Sequence, residues 1–363
     1  MAFDAVPLGE LVRLRRGYDL PAHRRRAGPI PVVSSRGITG SHDRARVHAP
    51  GVVTGRTGTL GGVYFVETDF WPLNTTLFVE DFKNNDPRFI AYLLRTIDYE
   101  RHNDKAAVPG VHRGHLHEVV VPRPPLRTQR AIGRTLATLD RRRALLARMD
   151  RNLRESAAEL YRLVPGGPRR RVDTLCSAIG NGGTPPRLDA ACWHGSTPWF
   201  RSGELTDGPL VHAAESITAR GRERSRRWPA GTVLVAMYAS PTVGRVGVLE
   251  TPAAANQACC ALVARPAYGA WFLFHALLAT RDRLQHLATG AAQQNISQRT
   301  VRAHLLRVPR AAVACAFHDR VSPLHALRAA HTREARTLRA WRDTLLPELL
   351  GNRIPPKTAA TDA

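Results

Sequence analysis

The architecture of this chain is set by one segment, Pro124-Pro125-Leu126-Arg127-Thr128-Gln129-Arg130, which continues to Val164. Its apolar residues recur alternately every four and every three positions, which is the 3.5-residue period of a coiled-coil seam. The seam consists of Ile132, Leu136, Leu139, Arg143, Leu146, Asp150, Leu153, Ala157, Leu160 and Val164. Proline is tolerated in a first helical turn, and Thr128 is a candidate cap. Because Pro165-Gly166-Gly167-Pro168 ends the pattern, we predict one long helix over residues 124–165.

The predicted helix is too long to be covered by one small domain. At 1.5 Å rise per residue it measures roughly 55 to 60 Å, longer than a small domain is wide. A helix of that length with one narrow apolar stripe needs a partner helix. The alternative is an ordinary amphipathic helix that packs on a globular core.

The charge of the chain indicates a polyanionic partner. Lys and Arg number 53 against 30 Asp and Glu, which gives a formal charge of +23 over 363 residues. Nucleic acid is the first candidate. Since a GC-rich genome also inflates arginine usage, the excess by itself does not establish nucleic-acid binding. The length and the 43% hydrophobic content predict two or more domains with substantial cores.

Export, membrane spanning and metal binding are not indicated. Residues 1–7 have no basic flank followed by an apolar run, and no segment reaches about 18 uninterrupted apolar residues. We therefore expect a cytoplasmic protein without a membrane partner. The cysteines form no C-x-x-C pair and have no histidine at zinc spacing, so we expect no metal site but buried or incidental thiols. They are Cys176, Cys192, Cys259, Cys260 and Cys315.

Residues 1–123 are predicted to form a mixed α/β domain of short strands and turns. Strands are indicated at residues 30–33, 52–55, 63–66 and 119–122, and helical spacing at 87–94. The glycines around Arg56 lack both the P-loop ending and the Rossmann spacing, so a plain turn is favoured over a nucleotide site.

Residues 166–309 repeat this order of elements. Phe89 and Phe272 lie 183 positions apart, Glu67 and Glu250 keep the same offset, and Asn74 and Asn256 differ from it by one. An offset that holds through several elements indicates an internal duplication.

Residues 310–354 duplicate the long helix. The apolar positions at helical spacing are Phe317, Val321, Leu324, Leu327, Leu338, Trp341, Leu345 and Leu349. We expect Pro323 to kink or start this helix and Pro347 to interrupt its last turns, so that its straight part is the shorter one. Residues 355–363 are expected to be disordered. The predicted fold class is α+β, with two similar domains separated by two long helices that pair as an antiparallel coiled coil.

The order domain, long helix, similar domain, long helix resembles the specificity subunit of type I restriction-modification enzymes over essentially the whole chain. Residues 124–132 look like the family's entry into its central helix, and Gly183-Thr184-Pro185-Pro186 followed by Thr197-Pro198-Trp199-Phe200 looks like the opening of its target-recognition domains. Residues 345–351 are similar to its C-terminus. Residues 20–30 lack the Gly-Thr-Pro-Pro opening, and the second helix starts with Ala311 to Phe317 in place of Pro-Pro-Leu.

The resemblance implies a DNA-reading subunit that has no catalytic centre and binds no cofactor itself. It implies two modification (methyltransferase) subunits and optional restriction (translocase-nuclease) subunits as partners, with S-adenosylmethionine and ATP with Mg²⁺ on those partners. The residues agree, since the sequence contains no Asn-Pro-Pro-Tyr-type tetrapeptide, no glycine-rich cofactor motif after a strand and no nucleophile–base arrangement.

Each domain is then expected to read a short half-site of double-stranded DNA, with the helices fixing the distance between the half-sites. Base reading requires Arg, Asn, Gln, Ser or Thr on loops that enter the major groove. The first-domain candidates are Ser35, Arg36, Arg56, Thr57, Lys105, His112 and Arg113. The second-domain candidates are Arg201, Ser202, Tyr238, Ser240, Arg245, Gln293, Gln294, Asn295, Ser297 and Arg299. The run 291–299 is the best single candidate, because it places amide side chains beside an arginine.

Two other classes of function stay open at this point. A stand-alone DNA-binding regulator or coiled-coil scaffold would bind DNA without a methyltransferase. A diverged nucleic-acid methyltransferase would bind a methyl donor by itself.

Overall fold

The computed structural model describes residues 3–103, 109–238, 242–288 and 295–356. These residues belong to two compact units, which are described separately. The first unit comprises Met1–Arg143 with Thr337–Ala363, and the second comprises Ala144–Arg336. Of the tail predicted to be disordered, residues 357–363 lie outside the described residues.

The first unit combines short strands with a few helices. In chain order its elements are β1 (Asp4–Pro7), α1 (Leu8–Leu11), β2 (Arg13–Arg16), β3 (Ile30–Ser34), β4 (Gly37–His42), β5 (Gly51–Gly55), β6 (Val63–Val66), β7 (Trp71–Pro72), β8 (Thr76–Asp81), α2 (Pro87–Leu94), α3 (Arg113–His117), β9 (Val120–Arg123) and the start of α4 (Leu126–Arg162). The strands form one sheet in the order β2-β8-β5-β6, another in the order β4-β3-β7, and the antiparallel pair β1-β9.

The second unit repeats these elements with additions. They are β10 (Arg169–Arg171), α5 (Val172–Leu175), β11 (Cys176–Asn181), β12 (Trp193–Phe200), β13 (Gly208–Leu210), β14 (Glu215–Ile217), α6 (Ala219–Arg222), β15 (Val233–Ala236), β16 (Val246–Leu249), β17 (Ala254–Ala255), β18 (Cys259–Ala264), α7 (Ala270–Ala279), α8 (Arg281–His286), α9 (Gln298–Ala303), β19 (Leu305–Arg307) and α10 (Ala311–Leu350). The sheet orders are β11-β18-β15-β16-β13, β14-β12-β17 and β10-β19.

The sheet orders confirm the predicted duplication. β2-β8-β5-β6 corresponds to β11-β18-β15-β16, β4-β3-β7 to β14-β12-β17, and β1-β9 to β10-β19. The parallel pairing of β3 with β7 recurs in β12 with β17. Since strand register is set by the buried pattern, the two halves of the sequence specify the same fold twice.

The core of the first unit includes one end of each long helix. Phe89 and Ile90 of α2 are fully buried together with Ile132 and Leu136 of α4 and with Leu349 of α10. Asp86 caps α2 by accepting a hydrogen bond from the Phe89 N–H at 2.8 Å, and Pro87 occupies the first helical turn, where proline is tolerated.

A buried glutamine fixes the start of α4. The Gln129 amide nitrogen donates to the Pro124 carbonyl at 2.9 Å and to the Asn85 side chain at 2.8 Å, and its oxygen accepts from the Asp86 N–H at 3.0 Å. The helix begins at Leu126, so the suggestion that Thr128 caps it is wrong. The buried amide of Gln129 ties the first turn to the loop before α2, which no pattern of helix caps predicts.

The core of the second unit takes the other ends of the long helices. Ala157 of α4 and Phe317 and Val321 of α10 are buried against Phe272 of α7 and Val235 of β15. The Tyr161 ring lies 5.4 Å from the Phe317 ring, while Asp150 contacts Arg328, so α4 and α10 run antiparallel within this unit. The predicted pairing of two long helices is confirmed.

The predicted seam of α4 faces inward along its length. Ile132, Leu136, Leu146 and Ala157 are buried, and the other seam positions are half-buried. The polar interruptions are paired. Asp150 accepts from the Arg328 Nε at 2.9 Å in the second unit, and Arg143 donates to Asp140 at 3.1 Å in the first.

Asp140 is the centre of an ionic cluster in the first unit. It accepts hydrogen bonds from Tyr92 at 2.9 Å, from Arg95 at 3.1 Å and from Arg342 of α10 at 3.1 Å. Although burial alone raises the pKa of this carboxyl, the hydrogen bonds from Tyr92 and Arg95 and the charge of Arg342 lower it below its usual value. The cluster therefore joins α2, α4 and α10 through a charged carboxylate.

The helix α10 differs from its sequence-based prediction. It contains both Pro323 and Pro347 and spans 40 residues against 37 in α4, so neither proline starts or ends it. Both prolines lie on the exposed side, and Ser322 Oγ donates to the His318 carbonyl at 2.7 Å beside the first of them. Proline in a helix interior removes a backbone hydrogen bond, yet the helix continues through both positions.

The buried face of α10 is also more polar than predicted. Leu327 and Trp341, placed in the apolar stripe by their spacing, are 43% and 57% exposed. Their place in the seam is taken by His325, Arg328 and His331, which are 0%, 5% and 6% exposed.

A buried histidine pair joins α7 to α10 in the second unit. The Nε2 atoms of His275 and His325 lie 3.0 Å apart, and the Trp271 ring stacks on His325 with centroids 3.6 Å apart. Arg328 Nη1 lies 3.3 Å from His325 Nδ1. Because a guanidinium can only donate, His325 carries its proton on Nε2 and donates it to His275.

Candidate nucleic-acid interface

In the first unit, the turn after β5 meets the segment before α3. The Gly58 N–H donates to the Pro109 carbonyl and the Val111 N–H donates to the Arg56 carbonyl, both at 2.9 Å, and Thr57 forms an isolated bridge with Gly110. The positive φ of 84° at Gly58 explains the glycine in this turn. The structure thus brings the Arg56–Thr57 turn next to His112 and Arg113, which are exposed at the start of α3.

Ser35 and Arg36 lie between β3 and β4, beside the same turn. Ser35 is buried, and its Oγ is close enough to Gly58 to touch a side chain at that position, at 3.8 Å. Arg36 is exposed, and its N–H donates to Ser34 Oγ at 3.1 Å. Of the first-domain candidates, Lys105 lies outside the described residues.

Arg56 is held in place by a backbone carbonyl. Its Nε donates to the Asn74 carbonyl at 3.0 Å, and the Asn74 side chain donates to Asp19 at 2.9 Å. Burial first, and then the neighbouring Arg16, lower the pKa of Arg56. The guanidinium is therefore partly desolvated and repelled by a second cation, a state that an anionic ligand would relieve.

Sequence reasoning missed Arg16 and Asn74 as parts of this surface. Arg16 ends β2 and is exposed, and it reaches Arg56 only through the tertiary fold. Asn74 and Asn256 recur at corresponding positions of the two halves, in the loops that follow β7 and β17. This repeat was the sequence signal that could have pointed to those loops.

In the second unit, the segment after β15 meets the segment before α9 in the corresponding way. Tyr238 forms an isolated bridge with Asn295, and the Ile296 N–H donates to the Met237 carbonyl at 2.9 Å. The bridge from Thr57 to Gly110 is thus repeated as the bridge from Tyr238 to Asn295. Among the described candidates, Thr57 in the first unit and Tyr238 and Asn295 in the second lie at these matching junctions.

Ser297 and Arg299 lie at the start of α9. Ser297 caps the helix by accepting from the Thr300 N–H at 3.1 Å, and Arg299 is exposed. Ser240, Gln293 and Gln294 lie outside the described residues. The run 291–299, the best single candidate, is therefore described only from Asn295 onward.

Arg201 and Ser202 follow β12, and they correspond to Ser34, the last residue of β3, and to Ser35, which follows it. The Arg201 Nε lies 3.6 Å from Glu204 and 3.7 Å from Glu215, so its charge is partly balanced within the unit. Arg245 is half-buried and has no ion pair among the residues that the structure describes. Tyr238 is 38% exposed.

The segment Gly183-Thr184-Pro185-Pro186 packs on two tryptophans. The Trp199 indole donates to the Gly183 carbonyl at 2.9 Å, and the Trp193 indole donates to the Pro186 carbonyl at 3.0 Å. The two rings meet edge to face with centroids 5.1 Å apart. Backbone carbonyls of this segment are therefore tied to indoles at both ends of β12.

The thiols of the second unit are largely shielded from solvent. Cys176, Cys192, Cys259 and Cys260 are buried, as predicted, and burial raises the pKa of the Cys176 and Cys260 thiols to about 12, which keeps them protonated. No group of three or more His, Cys, Asp or Glu side chains that could hold a metal ion occurs within residues 3–103, 109–238, 242–288 and 295–356. In the described part of the chain, the helices are too short or too polar to cross a membrane.

Two regions of the chain, residues 2–153 and 170–312, match the family described as type I restriction modification DNA specificity domain. Among solved structures, the type I restriction-modification S subunit from M. genitalium aligns over 96% of this chain and 96% of its own length, with 16% identity and a TM-score of 0.68. That likeness supports the fold of two similar α+β domains with two long helices.

Two further structures align over nearly the whole chain but with lower scores. The HsdS subunit from Thermoanaerobacter tengcongensis covers 97% of both chains at 16% identity, with a TM-score of 0.36. A chain from a study of complex assembly and conformational transition of the type I R-M system covers 97% of this chain and 98% of its own, at 15% identity and a TM-score of 0.41. No curated protein matches the chain.

Proposed function

This chain belongs to the family of type I restriction-modification DNA specificity domains, and from that premise we propose that it reads a bipartite, asymmetric target in double-stranded DNA. The family supplies DNA specificity and not catalysis, which favours this function over a stand-alone regulator or a diverged methyltransferase. In the proposal the first domain reads one half-site and the second domain reads the other.

The observation that carries the proposal is the pair of matching junctions. Thr57 with Gly110 in the first unit, and Tyr238 with Asn295 in the second, join the turn after a buried central strand to the segment before a short helix. Each junction presents polar or basic side chains on a rigid sheet. Side chains on loops held by a sheet can approach base edges without a large ordering cost.

The proposed contacts divide into two kinds. Hydroxyl, amide and imidazole groups supply base-edge contacts, and the arginine and lysine side chains grip phosphates or read guanine. The base-edge group comprises Ser35, Thr57, His112, Ser202, Tyr238, Ser240, Gln293, Gln294, Asn295 and Ser297. The basic group comprises Arg36, Arg56, Lys105, Arg113, Arg201, Arg245 and Arg299.

The two long helices are proposed to set the number of unread base pairs between the half-sites. We assign residues 1–123 and 166–309 to the readers, 124–165 and 310–354 to the spacer helices, and 355–363 to a disordered tail. The partly buried pairs Asp140–Arg342 and Asp150–Arg328, one in each unit, oppose a shift of α4 along α10, because a slip would separate each partly desolvated carboxylate from its arginine.

The proposal includes partners that carry the chemistry. Two modification subunits would bind S-adenosylmethionine and methylate the DNA, and restriction subunits would bind ATP with Mg²⁺. This chain would bring them to the target in the cytoplasm, where host and invading DNA are both accessible.

The test uses the complex of this chain with its modification subunits and maps methylated sites by sequencing. We expect the variant Arg56→Gln/Thr57→Ala to relax base preference in one half-site only, and Tyr238→Phe/Asn295→Ala to relax it in the other only. The matched control is Arg127→Gln, an exposed arginine of α4 outside both junctions. Loss of one good base contact costs about 1–3 kcal/mol of discrimination, roughly a fivefold to 150-fold change in site preference.

Two results would contradict the proposal. One is a relaxation of both half-sites by either variant, because the domains would not be independent readers. The other is that both variants keep the base preference of the parent and only bind DNA more weakly, because the junctions would then contact only the DNA backbone.

A further inference from the structure

The second unit contains a cleft lined by arginines, between the end of α4, the α7–α8 region and the β10–β19 pair. Its volume is about 350 Å³, and Arg162, Arg169, Arg283 and Arg307 line it. We call it the arginine cleft. Arg162 is paired with Glu159, whereas the other three arginines have no ion pair among the described residues. None of the described side chains that line the cleft is a carboxylate.

Two of these arginines face each other across a strand pair. Arg169 of β10 is directly opposite Arg307 of β19 in the antiparallel register. Like charges at directly opposed positions destabilise a strand pair. The fold therefore bears a cost at this position, and the described residues offer no counter-charge there.

The duplication supplies an internal comparison. The Leu8 N–H donates to the Val119 carbonyl at 2.8 Å at the end of β1, and the Val172 N–H donates to the His304 carbonyl at 2.9 Å at the end of β10, which aligns the two strand pairs. The pair equivalent to Arg169–Arg307 is then Ala5–Pro122, which is uncharged. The facing arginines are a property of the second unit and are not required by the fold.

The wall of the cleft adds hydroxyl groups but no negative charge. Thr280 Oγ1 donates to the Ala276 carbonyl at 2.8 Å and lies 2.9 Å from His304 Nε2. Burial first, and then the charge of Arg283, lower the pKa of His304, so its imidazole is neutral near pH 7. The positive potential of the cleft comes from the arginines.

We propose that the arginine cleft binds a phosphate group, supplied either by a free phosphate compound or by a DNA backbone. A phosphate group presents several acceptor oxygens and matches the forked donors of arginine from more than one side. A lone carboxylate accepts one such fork and would leave other guanidiniums unpaired. The site is separate from the junctions assigned to base reading and does not depend on that assignment.

The first experiment measures binding of inorganic phosphate to the full chain by isothermal titration calorimetry, in chloride buffer at constant ionic strength. The variant Arg169→Gln/Arg307→Gln removes the facing pair. The matched control Arg148→Gln/Arg151→Gln removes the same charge from the exposed side of α4 in the same unit. For a free phosphate compound, we expect binding by the parent and the control, and at least tenfold weaker binding by the facing-pair variant.

The second experiment measures binding of a DNA duplex at several salt concentrations. Each lost phosphate contact lowers the slope of log K against log salt by about 1. For a backbone phosphate, we expect the slope to fall by about 1 to 2 in the facing-pair variant and to stay unchanged in the control.

A third measurement shows whether the facing-pair variant is folded. Because the substitution removes a repulsion, we expect its unfolding midpoint in chloride to equal or exceed that of the parent, so a loss of binding would not reflect unfolding. The proposal is overturned if phosphate and duplex DNA bind the facing-pair variant and the parent alike, or if the control loses as much binding as the facing-pair variant.

Discussion

The buried histidine pair of the second unit should make its stability depend on pH below neutrality. Burial first, and then the charge of Arg328, lower the pKa of His275 to about 4 from its usual 6.5. The pKa of His325 is lowered as well, by burial, by His275, by Arg328 and by His318. A proton added to the pair would make two N–H groups face each other, or would make one N–H group face the Arg328 guanidinium. The carboxylate of Asp150 is already bonded to that guanidinium and does not contact the added proton.

The direction in which stability changes with pH follows from the protons bound by the folded and unfolded states. Below pH 6.5 the unfolded chain protonates both histidines while the folded chain keeps them neutral, so the unfolded state binds more protons and stability falls as the pH falls. Each such group loses about 1.6 kcal/mol between pH 6.5 and pH 5, and the pair about 3 kcal/mol. Above about pH 7.5 the folded and unfolded states are both neutral at these positions, and the pair contributes no further pH dependence.

The experiment compares the parent with His275→Gln/His325→Gln, which keeps polar side chains at both positions but removes their titration. The free energy of opening of the second unit is measured by amide hydrogen exchange within α7 at pH 7, 6.5 and 5, corrected for the intrinsic exchange rates. His117, His304 and His318 also have lowered pKa values, so both proteins should lose stability in acid. The parent should lose about 3 kcal/mol more than the double variant.

The control is His23→Gln, an exposed histidine of the first unit, which should leave the pH dependence of α7 unchanged. The reasoning is refuted if the parent and the double variant lose the same free energy between pH 6.5 and pH 5. That outcome would mean that the folded protein accepts protons at this pair as readily as the unfolded chain.

Three further predictions concern the long helices. Inserting four residues beside Arg143 lengthens α4 by about 6 Å, which at about 3.4 Å per base pair should shift the preferred spacer by one or two base pairs, as read from sequenced methylation sites; efficient methylation at the original spacing would argue against the helices as spacers. Asp140→Asn should destabilise the first unit in urea titrations, because three arginines lose a charged partner; since the site is partly exposed, we expect a loss of only about 2 kcal/mol. An unchanged midpoint would mean that solvent replaces the carboxylate. Gln129→Ala should cost about 2 kcal/mol, since it leaves the Asp86 N–H without its acceptor and Asn85 Oδ1 without its donor; faster hydrogen exchange at the start of α4 would check this, and wild-type protection there would contradict it.

Periodicity predicted α4 well and α10 poorly, for a physical reason. In α4 most seam positions are apolar, so the seam from Ile132 to Val164 is visible in the sequence. In α10 the buried positions include His325 and Arg328, whose burial depends on partners from α7 and α4. A search for regularly spaced apolar residues therefore assigned the exposed Leu327 and Trp341 to the buried stripe.

The loops were predicted in part, for a related reason. Glycine and turn residues mark the Arg56–Gly58 turn locally, but its meeting with Gly110 is a contact between distant segments that no local pattern encodes. The duplication compensates for this, because a feature found in one half can be sought in the other. Arg16 escaped detection because its link to the candidate residues is the repulsion between its charge and that of Arg56, which the tertiary fold creates.

The division of each long helix between two cores has a consequence for how such genes diverge. Ile132 and Leu136 are buried with Leu349 in the first unit, whereas Ala157 is buried with Phe317 and Val321 in the second. A recombination event that joins two related genes at the ends of the helices would pair a transferred domain with helix segments inherited from another parent. Crossovers within α4 and α10, near residues 143 and 336, would instead carry each core over with its own helix segments. Viable hybrid alleles should therefore have their breakpoints inside the helices.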